Sequence, residues 1–319
     1  MRVLVVGGTA FLGSFVVDEL LRRRHQVAVL GAEAGEFGGP VSRLDGLPSD
    51  GRALREAVGS WQPEGVIDLV HDGPAQAASV ARACAGRVAR SVHISTGAVY
   101  GRSPVCPVGE ETEVRAQASE EEAQIAADML VLGAAGRGEL PAAVIRLAHL
   151  YGPRDPRCGE WFFARRALEN RARIAVPDGG LHICHRGFVQ NMAWGIAQAL
   201  SAPRAVGRVY NLGEEKLYTL AQLALGVARA LDYKWEIYSV PGNLWSTPYA
   251  HTSFFDLRKA RSQLRYQDRM IPRDGLELTL AWLCQNPRGE DWRWPGIERP
   301  FDYQREDELI DRCGVRLEA

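Results

Sequence analysis

The chain has 319 residues, a length that suits about two domains with a sizeable apolar core. Its 38 basic and 39 acidic residues nearly cancel, so composition offers no electrostatic pull toward nucleic acid or an anionic membrane surface. Six cysteines with no Cys-x-x-Cys pair, no membrane-length apolar run and no signal-peptide pattern lead to the expectation of a reduced, cytoplasmic protein.

Val3 to Val6 form a short apolar run, the length of a buried strand, which stops at Gly7-Gly8. Apolar residues return at helical spacing with Phe11, Phe15, Val16, Leu20 and Leu21. A strand, a glycine turn and a helix N-terminus together predict a dinucleotide pyrophosphate site. Backbone N–H groups and the helix dipole face the phosphates, and Gly13 lets helix and strand pack closely. The spacing Gly7-x-x-Ala10-x-x-Gly13 carries Ala where the middle glycine of that pattern would stand. Gly7, Thr9, Ala10, Phe11, Leu12 and Gly13 are therefore the first candidate cofactor residues. A second strand, His25 to Leu30, ends at Gly31, where an NAD-binding chain usually places an acid for the ribose hydroxyls. Glu33 is the nearest acid beyond it. Without an acid at Gly31 a 2′-phosphate is not repelled, so the expected cofactor is NADPH, with NADH as the alternative.

A short strand is expected over 42–45, a helix over 51–60 and a fourth strand over 65–70. Asp68 lies inside that strand, and its side chain is expected to reach a helix N-terminus or solvent. Val70 and His71 stand at the C-terminal strand edge, where open parallel sheets place ligands. A helix over 74–85 leads to the fifth strand and its turn, Ser91-Val-His-Ile-Ser-Thr-Gly-Ala-Val-Tyr-Gly101.

With the glycine turn, this stretch resembles the extended short-chain dehydrogenase/reductases, the NAD-dependent epimerase/dehydratase family. Arg146-Leu-Ala-His-Leu-Tyr-Gly-Pro153, Val209-Tyr-Asn-Leu-Gly213 and Asp256-Leu-Arg-Lys-Ala-Arg261 fit the order of that family. The resemblance implies an α/β fold: a Rossmann doubly wound parallel sheet with a smaller C-terminal α/β substrate lobe. It assigns residues 1–153, with returning segments near 186–212, to the dinucleotide lobe, and 154–185 and 213–319 to the substrate lobe and tail. It adds Leu147 and His149 to the cofactor candidates.

The family's acid/base pair is Tyr-x-x-x-Lys on the helix after strand five, working with a hydroxyl at that strand's end. Here Ser95-Thr96 supplies the hydroxyl, with Thr96 on the family position. The helix expected over 118–132 aligns Glu120 with the tyrosine and Gln124 with the lysine. The residues four before the three lysines, Lys216, Lys234 and Lys259, are Leu212, Ala230 and Phe255, so no Tyr-x-x-x-Lys occurs anywhere. Gly97-Ala98 replaces the Asp-Glu of sugar dehydratases, which argues against dehydration. His149 replaces the family asparagine and is a candidate proton donor or a packing histidine.

In the second half, Trp161, Phe162 and the loop residues Trp245 and Tyr249 are candidates for an apolar substrate pocket, with His185 and Arg186 nearby in sequence order. Arg186 suits either a diphosphate or a salt bridge between the lobes. His182-Ile-Cys-His185 puts alternate residues on opposite faces of a strand, so no metal site is expected from it. The tail from Asn286 is expected to wrap the surface or cover a dimer contact, ending in a short helix over 306–313; the chain is expected to be a monomer or a homodimer.

The leading expectation is an NAD(P)H-dependent ketoreductase acting on a flat aromatic ketone, with Ser95 or Thr96, or a phenol of the substrate, stabilising the alkoxide. In this it resembles tyrosine-lacking ketoreductases that tailor aromatic polyketide antibiotics. The alternatives are a nucleotide-sugar epimerase or reductase with Glu120 or His149 as base, and a non-catalytic NADPH- or RNA-binding member. The near-zero charge disfavours RNA.

Overall fold

The computed structural model describes residues 1–31 and 37–317 and divides the chain into two compact units. The first comprises Met1–Ala148, Val189–Glu215 and Phe255–Arg269. The second comprises His149–Phe188, Lys216–Phe254 and Met270–Ala319. Residues 255–269, expected in the smaller lobe, thus belong with the first unit. Among the described residues no helix is long and apolar enough to cross a membrane. Glu33 lies outside the described residues.

The first unit alternates strand and helix: β1 (Arg2–Val6), α1 (Phe11–Arg22), β2 (Gln26–Leu30), β3 (Ser42–Leu44), α2 (Gly51–Trp61), β4 (Gly65–Asp68), α3 (Gly73–Cys84), β5 (Arg90–Thr96), α4 (Ser119–Gly136) and β6 (Ala142–Leu147). The second unit then supplies β7 (His149–Tyr151), α5 (Trp161–Leu168), β8 (Arg173–Pro177) and β9 (Arg186–Phe188). The chain returns to the first unit with α6 (Val189–Ser201) and β10 (Val209–Leu212), and re-enters the second with α7 (Leu220–Ala230) and β11 (Glu236–Val240). Helix α8 (Arg258–Leu264) lies in the first unit, and α9 (Pro272–Gln285), α10 (Tyr303–Cys313) and β12 (Val315–Arg316) complete the second.

Seven parallel strands of the first unit run in the order β10-β6-β5-β4-β1-β2-β3. Strand order reverses beside β1, the position where doubly wound sheets bind dinucleotides. Val3, Leu4, Val5 and Val6 are all fully buried because helices cover both sheet faces. Leu4 and Val6 pack with residues of α2, α3 and α4, while α1 lies against α6. Asp50 caps α2 by accepting the N–H of Arg52.

In the second unit β11 pairs in parallel with β8 and antiparallel with β12, and β7 pairs with β9. A capping box, Thr219 with Gln222, starts α7. The tail is not a surface wrap. Trp292, Leu309 and Ile310 are buried in this unit's core, because α10 packs on β8 and β11. Arg166 and Glu306 are both fully buried as an ion pair at 3.0 Å. The remaining donors of Arg166 reach the carbonyl oxygens of Phe162 (2.7 Å) and Pro300 (2.9 Å), and Glu306 also accepts the Ala175 N–H at 2.9 Å. Removing one partner strands a charge in the core. Glu306→Ala is therefore expected to lower the unfolding free energy by about 3–5 kcal/mol in urea denaturation; a loss under about 1 kcal/mol would show that α10 docks without this pair.

Candidate functional site

The turn after β1 is built by close backbone approach. Gly7 has φ +79, and a β-carbon there would lie 2.9 Å from Val70 Cγ2. At Gly13 a β-carbon would lie 2.6 Å from the carbonyl oxygen of Gly7, so α1 can approach the turn this closely only with glycine. Ala10 is the N-cap of α1 but makes no side-chain cap, and the first turn carries no acid. Its side chain is exposed, with Thr9 and Phe11 half-buried and Leu12 buried. The N–H groups at this helix start thus lack a side-chain cap, which fits a pyrophosphate.

Gly31 follows from the same crowding: a β-carbon there would lie 2.7 Å from Thr9 Oγ1. No carboxylate side chain fits at that position with Thr9 where it stands. Val70 is half-buried and His71 exposed just beyond β4. Leu147 is buried in register with Thr96 of β5.

Asp68 reaches neither a distant helix nor solvent. It is buried, accepts the Val70 N–H at 3.2 Å and pairs with His93 Nδ1 at 3.2 Å. From His93 the polar chain continues to Gln124 (3.1 Å), from Gln124 to Asp128 (3.4 Å), and from Arg146 to Asp128 (3.0 Å). Arg146 lies 4.9 Å from the centroid of the Tyr100 ring, whose hydroxyl donates to Asn211 Oδ1 at 2.7 Å. Burial lowers the His93 pKa, but the Asp68 hydrogen bond and the charges of Asp68 and Asp128 outweigh it, so the net shift is upward. Sequence reasoning missed this network apart from the oddity of Asp68, since its members lie on β4, β5, α4, β6 and β10.

At the two positions aligned with the missing pair, Glu120 is exposed in the first turn of α4, while Gln124 is buried in the network. Thr96 is half-buried at the end of β5 and its Oγ1 accepts the Ala98 N–H at 3.2 Å. Ser95 is buried, and its hydroxyl has no hydrogen-bond partner among the described residues.

In the second unit the expected aromatic pocket residues are corrected to core. Phe162 is fully buried with its ring 3.7 Å from the Arg166 guanidinium carbon. Trp245 is buried and its indole donates to the Ala175 carbonyl at 3.2 Å. Trp161 is buried too, although its indole N–H has no partner among the described residues. Tyr249 is buried at a left-handed φ of 67, with its hydroxyl 3.3 Å from Glu160 Oε2. Arg186 makes a salt bridge to Glu160 at 2.7 Å, and both residues belong to the second unit, so it is not the expected bridge between lobes. Asp155 stands beside them, its pKa pushed up to about 7 by burial and then by the Glu160 charge. His185 is buried on the segment leading into β9, and its carbonyl accepts the N–H of the exposed His149 at 3.2 Å.

Comparison with known proteins matches residues 3–213 to the model of the NAD dependent epimerase/dehydratase family. The chain belongs to that family. A 2'-dehydrokanamycin reductase of Streptomyces kanamyceticus is 32% identical over 91% of this chain and 87% of its own length. The chloroplast stem-loop binding protein of 41 kDa b from Arabidopsis thaliana is 26% identical over 72% of this chain, which spans 63% of that relative's length. Among solved structures, UDP-glucose 4-epimerase of Thermotoga maritima with UDP-glucose superposes with a TM-score of 0.76 at 21% identity, covering 90% of this chain and all of the other (100%). That likeness shows the Rossmann fold. Enzymes of the epimerase/dehydratase family are NAD-dependent oxidoreductases, epimerases and dehydratases, and the Gly7–Gly13 turn fits the pyrophosphate of such a cofactor.

The raised His93 pKa makes the family lobe of this chain pH-sensitive in a defined sense. The stabilisation from charged His93 is complete below its unfolded pKa of about 6.5 and is lost as pH rises through the higher folded value. The stability gap between wild type and His93→Gln should therefore be widest below that pH and narrow in alkali. A gap that widens with rising pH would mean that His93 is neutral in the fold.

Proposed function

We propose that the protein is an NADPH-dependent ketoreductase that reduces a ring carbonyl of a secondary metabolite, with a β5 hydroxyl standing in for the family tyrosine. The carrying observation is Thr96. Its oxygen accepts a backbone N–H from Ala98, which leaves its own proton to donate elsewhere. A hydroxyl held in that way can hydrogen-bond a carbonyl oxygen as negative charge develops on it. NADPH, when bound, supplies the hydride. Gly7, Thr9, Ala10, Phe11, Leu12 and Gly13 would hold its pyrophosphate, and Gly31 leaves out the carboxylate that would oppose a 2′-phosphate.

Reduction is favoured over epimerisation because the most identical of the relatives described above is a reductase and because Glu120 is an exposed residue of a helix's first turn. A threonine hydroxyl is too weak an acid to be the final proton source, so that proton comes from solvent or from the substrate. A phenol beside the carbonyl would serve, which keeps polycyclic aromatic ketones, the substrates of angucyclinone ketoreductases such as that of simocyclinone assembly, as one substrate class. The aromatic reading now rests on this chemistry alone, since Phe162 and Trp245 are core residues. An amino-sugar ketone, the class named by the kanamycin relative, is the other.

NADPH and NADH oxidation should be followed by absorbance against both ketone classes and a set of nucleotide sugars. One ketone class should turn over faster with NADPH, and Thr96→Val should cut kcat by about 100-fold with a smaller change in KM. Unchanged turnover in both Thr96→Val and Ser95→Ala would remove the hydroxyls from the mechanism. Interconversion of a nucleotide sugar without net NADPH consumption would replace the reading with epimerisation.

A further inference from the structure

Within the second unit three metal-ligating side chains converge. His149, Cys184 and His251 each offer one ligand atom, and these atoms all lie within 4.8 Å of one another. The three positions are far apart in sequence, so no local spacing announces them. The backbone joins them through adjacent extended segments. His149 opens β7 and is in register with Arg186 of β9, directly after the Cys184-His185 segment. Cys184 forms a parallel bridge with Ser253, reinforced by His185 N–H to the Ser253 carbonyl and Ser253 N–H to the Ile183 carbonyl, both at 3.0 Å. His251 stands two residues before that bridge, with its N–H donated to the Tyr249 carbonyl at 2.8 Å. Each ligand is thus carried by or next to hydrogen-bonded backbone, which fixes where the side chains start.

We propose that His149, Cys184 and His251 form a zinc site. Two imidazoles and one thiolate are a borderline-soft donor set of the kind zinc takes. Zinc–nitrogen and zinc–sulfur bonds of about 2.0 and 2.3 Å place tetrahedral ligand atoms roughly 3.3–3.7 Å apart. Side-chain rotations of about 1 Å would close the present spacing to that geometry. Three protein ligands leave a fourth position for an oxygen donor, water or the carbonyl of a small molecule, which is the pattern of catalytic rather than structural zinc. Access matches: both histidines are exposed, while Cys184 closes the buried side.

The surroundings define what binding must do. Burial pushes the Cys184 thiol up to about 12, with Arg186 opposing and Glu160 adding to the shift, so metal binding displaces a proton from sulfur. The rings of Tyr249 and Trp294, with centroids 5.8 and 6.2 Å from that of His149, border one side. The His182-Ile-Cys-His185 segment, unpromising as a motif, contributes only its cysteine; the other two ligands come from β7 and the loop after Tyr249. Nothing in this proposal depends on the identity of the ketone or on cofactor turnover.

The test is cobalt titration of the purified, chelator-treated full chain. One equivalent of Co²⁺ should bind with a thiolate-to-cobalt charge-transfer absorption, release protons and be displaced by Zn²⁺. Cys184→Ala should lose that absorption. His251→Ala, which alters an exposed side chain and so tests the site even if the cysteine variant fails to fold, should weaken Co²⁺ binding by about tenfold or more. Absence of the absorption in the wild type would overturn the proposal. So would its persistence in Cys184→Ala, which would place the metal on another of the six cysteines.

Discussion

The first unit depends on one close approach, that of α1 to the turn after β1. Gly13 sits where any β-carbon would meet the Gly7 carbonyl oxygen at 2.6 Å, so helix, turn and strand can occupy these positions only if that side chain is absent. The contact sets the direction in which α1 leaves the sheet and leaves its N–H groups at the strand edge where chain order reverses. The same crowding propagates outward. Thr9 packs against Gly31, and that contact removes the site at which a ribose-binding acid would otherwise stand. Any side chain at position 31 would therefore require Thr9 to move.

Gln124 lies inside a buried polar network of the first unit. Gln124 links His93 to Asp128, and Arg146 balances the second carboxylate. Such a network resists piecemeal change, because loss of one member leaves a buried partner unsatisfied. A lysine at position 124 would put a further cation among these buried groups.

The elements and the cofactor turn were legible in the sequence because both are local. Apolar runs of strand length and helical spacing after Gly7 are each written within a dozen residues. The side-chain roles in the second unit were not legible, for a physical reason. An aromatic-rich loop looks like a pocket wall when its partners are unknown, yet Trp245 spends its indole N–H on the Ala175 carbonyl and Phe162 stacks beneath Arg166. The tail, expected at the surface, also carries Glu306, which neutralises Arg166 inside the core. Asp68 gave a signal without a direction, since its partner His93 is twenty-five residues away on the neighbouring strand.

The second unit uses two buried ion pairs differently. Arg166–Glu306 is surrounded by backbone acceptors and donors that use up its hydrogen-bonding capacity, so it acts as a fixed clasp between α5, β8 and α10. Arg186–Glu160 is joined instead by titratable or polarisable neighbours: Asp155 with a pKa of about 7, Cys158 with its thiol 3.6 Å from Glu160, and the Tyr249 hydroxyl. In that second cluster Asp155 is the carboxyl that burial and the Glu160 charge bring near neutrality. Arg186 also faces Cys184, so the charge state of the cluster bears on the thiol of the proposed zinc site.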